Sequence, residues 1–185
     1  MRMRFIESVW PTVFLVIDLK KTTLRIKDGT TPTPKSLDIT IGEGNLSFTE
    51  RRTVEYTLDR GLLDEVREGD QVPVEVSLDF IWDYISGQGA TSANSDITGP
   101  VEVLKGIGQA SANGWVSTDS DGCRPYAVDI EVDHEPTPTT CGDTEILTLS
   151  DFRWEQLDYD LRAGTIAVSG RCNIVNGTLA RYSQT

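Results

Sequence analysis

The sequence predicts a mainly β fold with one short α-helix, on three observations. First, Thr53–Asp59 and Val72–Phe80 alternate, with Val54, Tyr56, Leu58 and Val72, Val74, Val76, Leu78, Phe80 on one side. Thr53, Glu55, Thr57, Asp59 and Glu75, Ser77, Asp79 occupy the other. A period of two over this length marks strands with one apolar and one polar face. Second, similar short runs recur along the chain, separated by Gly, Pro, Ser and Thr. Third, 185 residues with 38% hydrophobic content suit one domain with a thin core layer.

The elements follow in order. Residues 1–15 read as an N-terminal arm, either disordered or docked on a neighbour through Phe5, Val9 and Trp10. Met1-Arg2-Met3-Arg4 before Val13-Phe14-Leu15-Val16-Ile17 superficially resembles a signal peptide, but the apolar core is short and has no small-residue cleavage site. It is also too short to span a bilayer. Residues 16–185 read as a single, mainly β domain, which the resemblance given below implies is a β-sandwich.

Leu24 and Ile26 alternate in a first strand that ends at the Asp28-Gly29 turn signal, and Pro32 and Pro34 sit in the following loop. Leu37, Ile39 and Ile41 define a second strand; Gly42 and Gly44 interrupt it before Leu46 and Phe48 resume the phase. The two opening strands are joined by Arg60–Gln71, which reads as one or two helical turns with Gly69 as C-cap. That connector is long and heavily charged, which suggests a contact role.

Residues 87–96 read as a Gly/Ser/Ala/Thr linker. Pro100–Ile107 fits a short helix, with Pro at its first turn and Gly106 near its end. Tyr126, Val128, Ile130 and Val132 then alternate with acids up to His134. Strands are predicted again at Glu145–Leu149, Gly164–Asn173 and Gly177–Tyr182.

The net charge of −12 and pI near 4.4 argue against electrostatic binding to nucleic acid or an anionic membrane. Cys123, Cys141 and Cys172 are widely spaced without a CxxC, which favours a reducing compartment during folding over a disulfide framework or a metal site.

No catalytic constellation emerges. His134, between Asp133 and Glu135, has no nucleophile signature nearby and reads as a solvated surface histidine. Ser117–Gly122 aligns with half of a calcium loop, but the closing carboxylate would fall on Val128, so a flexible acidic turn is expected. Val128–Asp160 holds ten acids and one base, Arg153, and alternating acids on strands indicate a solvated face. Asn45-Leu46-Ser47 and Asn176-Gly177-Thr178 match the glycosylation pattern, which carries no weight without a signal peptide.

Several segments nevertheless carry a resemblance: Asp18–Lys20, Leu24–Thr30, Ile41–Glu50, Val54–Gly61, Leu63–Asp70, Asp121–Ile130 and Arg162–Ile166. Over residues 16–175 the chain resembles the major tail (tail tube) proteins of long-tailed bacteriophages, the siphophages. The resemblance implies a β-sandwich whose long strands, including a long hairpin, join between subunits into an inner barrel. Hexameric rings of such subunits stack into a tube that conducts the genome.

It also implies roles for particular residues. Glu55, Thr57, Asp59, Glu75, Ser77 and Asp79 would face an acidic lumen that lets double-stranded DNA pass without binding. Arg60, Leu62, Leu63, Asp64, Glu65, Arg67 and Glu68 would form the ring-stacking loop. Its partners would be further copies of itself, the tape measure, the tail terminator and the baseplate or distal tail proteins. The protein would reside in the virion tail after assembly in the host cytoplasm, with no enzymatic activity, cofactor or membrane contact. Two rival readings are a carbohydrate-binding sandwich using Trp82, Trp115 or Trp154, and a carboxylate hydrolase.

Overall fold

The computed structural model describes residues 22–39, 46–60, 62–81, 98–134 and 144–182. The expected N-terminal arm and the 87–96 linker lie outside them. Described strands are β1 (Thr22–Lys27), β2 (Ser36–Ile39), β3 (Leu46–Thr49), β4 (Arg52–Asp59), β5 (Leu62–Gln71), β6 (Val74–Ile81), β7 (Val128–His134), β8 (Thr144–Asp160), β9 (Thr165–Cys172) and β10 (Thr178–Tyr182). Two short helices, α1 (Pro100–Lys105) and α2 (Gln109–Ala112), lie between β6 and β7. The fold is mainly β, consistent with the predicted sandwich.

All strand pairs are antiparallel, in the order β2-β1-β7-β8-β9-β6-β3, with β10 also pairing β8. The 17-residue β8 belongs to both ends of this sheet. Its first part pairs with β10 through Thr148 and with β7, whose ladder reaches Phe152, whereas Phe152–Asp160 pairs with β9. Between them Asp151 takes a positive φ of 55°, a conformation that bends a strand sharply.

The apolar alternation of β1, β6, β7 and β9 meets in one core containing Leu24, Ile26, Val76, Leu78, Phe80, Ile130, Leu149, Ile166 and Val168. The helix expected at Pro100–Ile107 is present, and it buries Val103 and Leu104. Gly106 ends it at φ 63°, where a Cβ would stand 2.7 Å from the Tyr126 ring. The Glu102 carboxylate accepts the N–H of Gly99 at 3.0 Å and of Gln109 at 3.2 Å, tying α1 to α2.

Two expectations about the opening strands need correction. Arg60–Gln71 is not helical: β5 pairs with β4 as a separate two-stranded hairpin. The cross-strand partners Tyr56↔Val66 and Leu58↔Leu63, and Glu55↔Arg67, override the helix propensity of Leu, Glu and Arg. Accordingly, β4 and β6 do not share a sheet. β6 is sandwiched between β3 and β9.

Candidate assembly surfaces

β3, β6, β9 and the second part of β8 form one end of the sheet, and their register fixes which residues share a face. The inner face is sealed by Val74, Val76, Leu78 and Phe80 of β6. The outer face carries transverse rows of polar residues. One row runs Thr49, Glu75, Arg171, Arg153; the next runs Ser47, Ser77, Ser169, Gln156. Asp79 and Asp158 flank Ala167 in a third.

The predicted lumen set is therefore split. Glu75, Ser77 and Asp79 share this face, whereas Glu55, Thr57 and Asp59 lie on the β4–β5 hairpin. Nor is the face purely acidic. Glu75 meets Arg51 at 3.1 Å and Arg171 at 3.8 Å, and Arg171 reaches Glu155 at 3.5 Å. Glu75, Arg171 and Glu155 border a shallow polar hollow of about 270 Å³.

β4 is exposed at every residue, and of the β5 residues whose burial is described all but Gly69 are exposed. One side presents Val54, Tyr56, Leu58, Leu63 and Val66, of which Tyr56, Leu58 and Leu63 are each more than 60% accessible. The apolar side of β4 is thus left uncovered: no described residue of the chain buries it. The other side carries Glu55 opposite Arg67 and Thr57 opposite Glu65. Of the predicted stacking residues, Arg60 sits at the tip with a positive φ of 50°. Leu62, Asp64 and Glu68 lie in β5, where Glu68 meets Arg52 at 3.4 Å.

The root of the hairpin is held by the connection between β9 and β10. Gly177 N–H donates to Glu50 Oε1 at 2.7 Å, and Val74 N–H to the Ile174 carbonyl at 3.0 Å. Asn173 N–H donates to the Asp151 carbonyl at 3.3 Å, linking the same segment to the bend in β8.

At the other end of the sheet, acids expected on a solvated face form a charge ladder. Arg25 on β1 bridges Asp38 at 2.9 Å and Asp133 at 3.0 Å, and Lys27 meets Glu131 at 2.5 Å. Glu131 is buried. His134 is likewise buried, not solvated, with its Nδ1 3.3 Å from Thr22 Oγ1. The acidic turn at 117–122 is tied down rather than flexible. Asp119 accepts from the Asp121 N–H, which foremost holds its carboxyl below the usual range, with Arg124 and Arg153 adding to the effect.

Beneath that turn, burial raises the Asp129 carboxyl above its ordinary value, and the nearby Asp151 adds to the shift. Burial likewise pushes the Cys172 thiol up to about 12. Cys172 and the exposed Cys123 are both free thiols; Cys141 lies outside the described residues. Among the described residues no His, Cys, Asp and Glu side chains gather as a metal-binding group. No described helix is long and apolar enough to cross a membrane.

The arrangement has a solved counterpart. The chain is similar to the sheath/tube terminator of an extracellular contractile injection system, PVC, in its extended state. The match has a TM-score of 0.51 at 10% identity and covers 91% of this chain and 99% of that one. At that identity the likeness establishes a shared fold. A chain of the anti-feeding prophage (AFP) baseplate also aligns, at a TM-score of 0.38 and 11% identity, over 86% of this chain and 92% of that one. No family model and no curated protein sequence matches the chain.

Trp154, one of the tryptophans considered for glycan binding, is 38% accessible and lies under the Lys105 ammonium, 5.4 Å from the ring centre. Trp115 is half-buried against the core. Trp82 lies outside the described residues. The two described tryptophans therefore form no common aromatic platform. Sequence reading missed the clasp around Glu50 and the charge ladder around Glu131, since both depend on strands distant in sequence.

Proposed function

We propose that this chain is a structural subunit of a bacteriophage tail or a related tail-like particle, one that builds hexameric rings that stack into a tube. The observation that carries this reading is the pair of open edges on the β3-β6-β9-β8 sheet. Among the described residues, no strand pairs with the outer edge of β3 or with the outer edge of β8 beyond Phe152. Exposed strand edges invite pairing with another chain. Four antiparallel strands make the two edges run in opposite directions. Copies related by rotation can therefore join β8 to β3 and continue the antiparallel ladder into a closed barrel.

In such a ring the outer polar face of the sheet, with Ser77 and Asp79, lines the bore, while the β4–β5 hairpin reaches toward the next ring with its apolar side. A two-stranded hairpin is marginal alone in water, so a neighbour that covers this side supplies the burial it lacks. The fold shared with a tube terminator supports the reading. So does the net charge of −12, which disfavours lasting contacts with DNA in transit. Tail partners such as a tape measure, a terminator and a baseplate component follow from the same reading. No chemistry or cofactor is assigned to the chain.

Negative-stain microscopy of the purified protein tests it. Hollow rings or tubes are the expected result. A monodisperse monomer under all assembly conditions, especially one that binds glycans, overturns it.

A further inference from the structure

Two rows on the inner face of the β3-β6-β9-β8 sheet run from one open edge to the other. The first is Phe48, Val76, Gly170, Trp154, and the second is Leu46, Leu78, Val168, Leu157. The middle residues are sealed: Val76, Leu78 and Val168 are each 2% accessible or less. The ends are not. Phe48 is 41% and Trp154 38% accessible, and Leu46 and Leu157 are only partly buried at the fringe of the core. The core layer thus ends at each edge in an aromatic and a leucine, on the same face and in the same rows.

We infer that Phe48 and Leu46 of one copy pack against Trp154 and Leu157 of the next, so that the hydrophobic core continues across the seam between subunits. The inference rests on the ring reading above and names the side chains that would close it. The occupant is a second copy because the two edges complement each other in three ways. They are antiparallel, so backbone donors and acceptors can form a ladder. Both present their apolar residues on the face away from the bore. And the rows are aligned, which brings Phe48 opposite Trp154 when copies add without stagger, or diagonally near it with a small shift.

Lys105 strengthens the arrangement. Its ammonium lies over the Trp154 ring and leaves part of the indole accessible. Gly170 sets the depth of the row. A Cβ there would meet the Arg153 carbonyl oxygen at 2.1 Å, so the position beside Trp154 stays empty of side chain.

The test uses the full chain with Cys123→Ser, which removes the exposed thiol, and adds Phe48→Cys with Trp154→Cys. After assembly, a short bismaleimide should join neighbours into a ladder of covalent oligomers in the double variant and not in either single variant. Assembled rings of the double variant that give no ladder overturn the seam while leaving the ring reading in place. Absence of rings from the unmodified protein overturns the ring reading, and the seam with it. If the double variant fails to assemble, Phe48→Ala decides. A folded monomer with an unchanged melting curve and at least tenfold weaker ring formation supports the seam; undiminished ring formation overturns it.

Discussion

Glu50 and Gly177, 127 residues apart, are joined by a 2.7 Å hydrogen bond from the glycine N–H to the carboxylate. Glu50 stands just before β4, and Val74, just after β5, bonds to the same 173–177 connection. Both legs of the hairpin are thus gripped by one segment, which fixes the direction in which an exposed apolar surface points.

Glu50→Ala should loosen that grip without dismantling the core. A hydrogen bond to a charged group contributes about 1.5–3 kcal/mol, and an exposed one lies at or below the lower end of that range. Hydrogen exchange should quicken in β4 and β5 while amides of β6 and β9 stay protected. Equal exchange across all four strands in the variant would show that the hairpin is not held at its root.

Glu131 is the buried member of the charge ladder, between Arg25 and Lys27. Lys27→Met leaves Arg25 3.6 Å away as its remaining partner, so a modest loss of about 1 kcal/mol is expected. Lys27→Met with Arg25→Met strands the carboxylate and should cost about 3 kcal/mol or more. Urea denaturation of the two variants reads the difference, and additive small effects would argue that Glu131 is well solvated.

Asp129 should make stability pH-dependent in the direction opposite to Asp119. Burial raises the Asp129 carboxyl, so its charged form is disfavoured in the fold. Its contribution is greatest below the unfolded value and is lost as pH rises through the folded one. Asp119 is lowered, so its contribution is present above the unfolded value and fades as pH falls through the folded one. Asp129→Asn keeps an acceptor for the Asp151 N–H and should melt higher than the parent at neutral pH, with the gap closing in acid. A gap that widens in acid would contradict this.

The Tyr126 hydroxyl is buried without a hydrogen-bond partner among the described residues, while its ring packs beside Gly106. Tyr126→Phe should therefore stabilise the fold by about 1 kcal/mol. Gly106→Ala should destabilise it by more than the roughly 1 kcal/mol of left-handed strain, because the new methyl meets the ring. Thermal melts of the two variants should shift in opposite directions.

The split of the predicted lumen residues gives a functional contrast. Ser77→Lys with Asp79→Lys adds positive charge to the sheet face assigned to the bore, so assembled particles should eject DNA more slowly. Glu55→Lys, on the hairpin, should leave the ejection rate unchanged and alter tube length instead. Single-particle ejection kinetics with tube lengths from microscopy compare them, and the reverse pattern would exchange the two surfaces.

Alternation alone made most strands legible, because Leu24, Ile26, Val76, Leu78, Ile130 and Val168 are each buried on one face of a strand whose other face is more exposed. It failed where the phase slips. β8 shows its first part clearly, but the register shift between Trp154 and Gln156 breaks the period, so Phe152–Asp160 did not read as the same strand. The hairpin was misread because Leu62-Leu63-Asp64-Glu65-Val66-Arg67 has local helix propensity, and only pairing with β4 makes it extended. His134 looked solvated between two acids, yet its position opposite Thr22 turns it inward. The surfaces themselves were least legible. Which residues of one strand share a face was clear from the alternation, but which strands lie side by side depends on contacts far apart in sequence.

The even strand count of the β3-β6-β9-β8 sheet has a consequence for ring size. Each added copy repeats the same up-down polarity, so the ladder can close after any number of copies without a mismatched junction. Copy number is then a matter of curvature, set by sheet twist and by the bulk packed behind it. Loss of the short β3 would be more drastic than its four residues suggest. β6 and β8 run in the same direction, and their meeting would demand a parallel ladder that no pair of strands in this sheet otherwise uses.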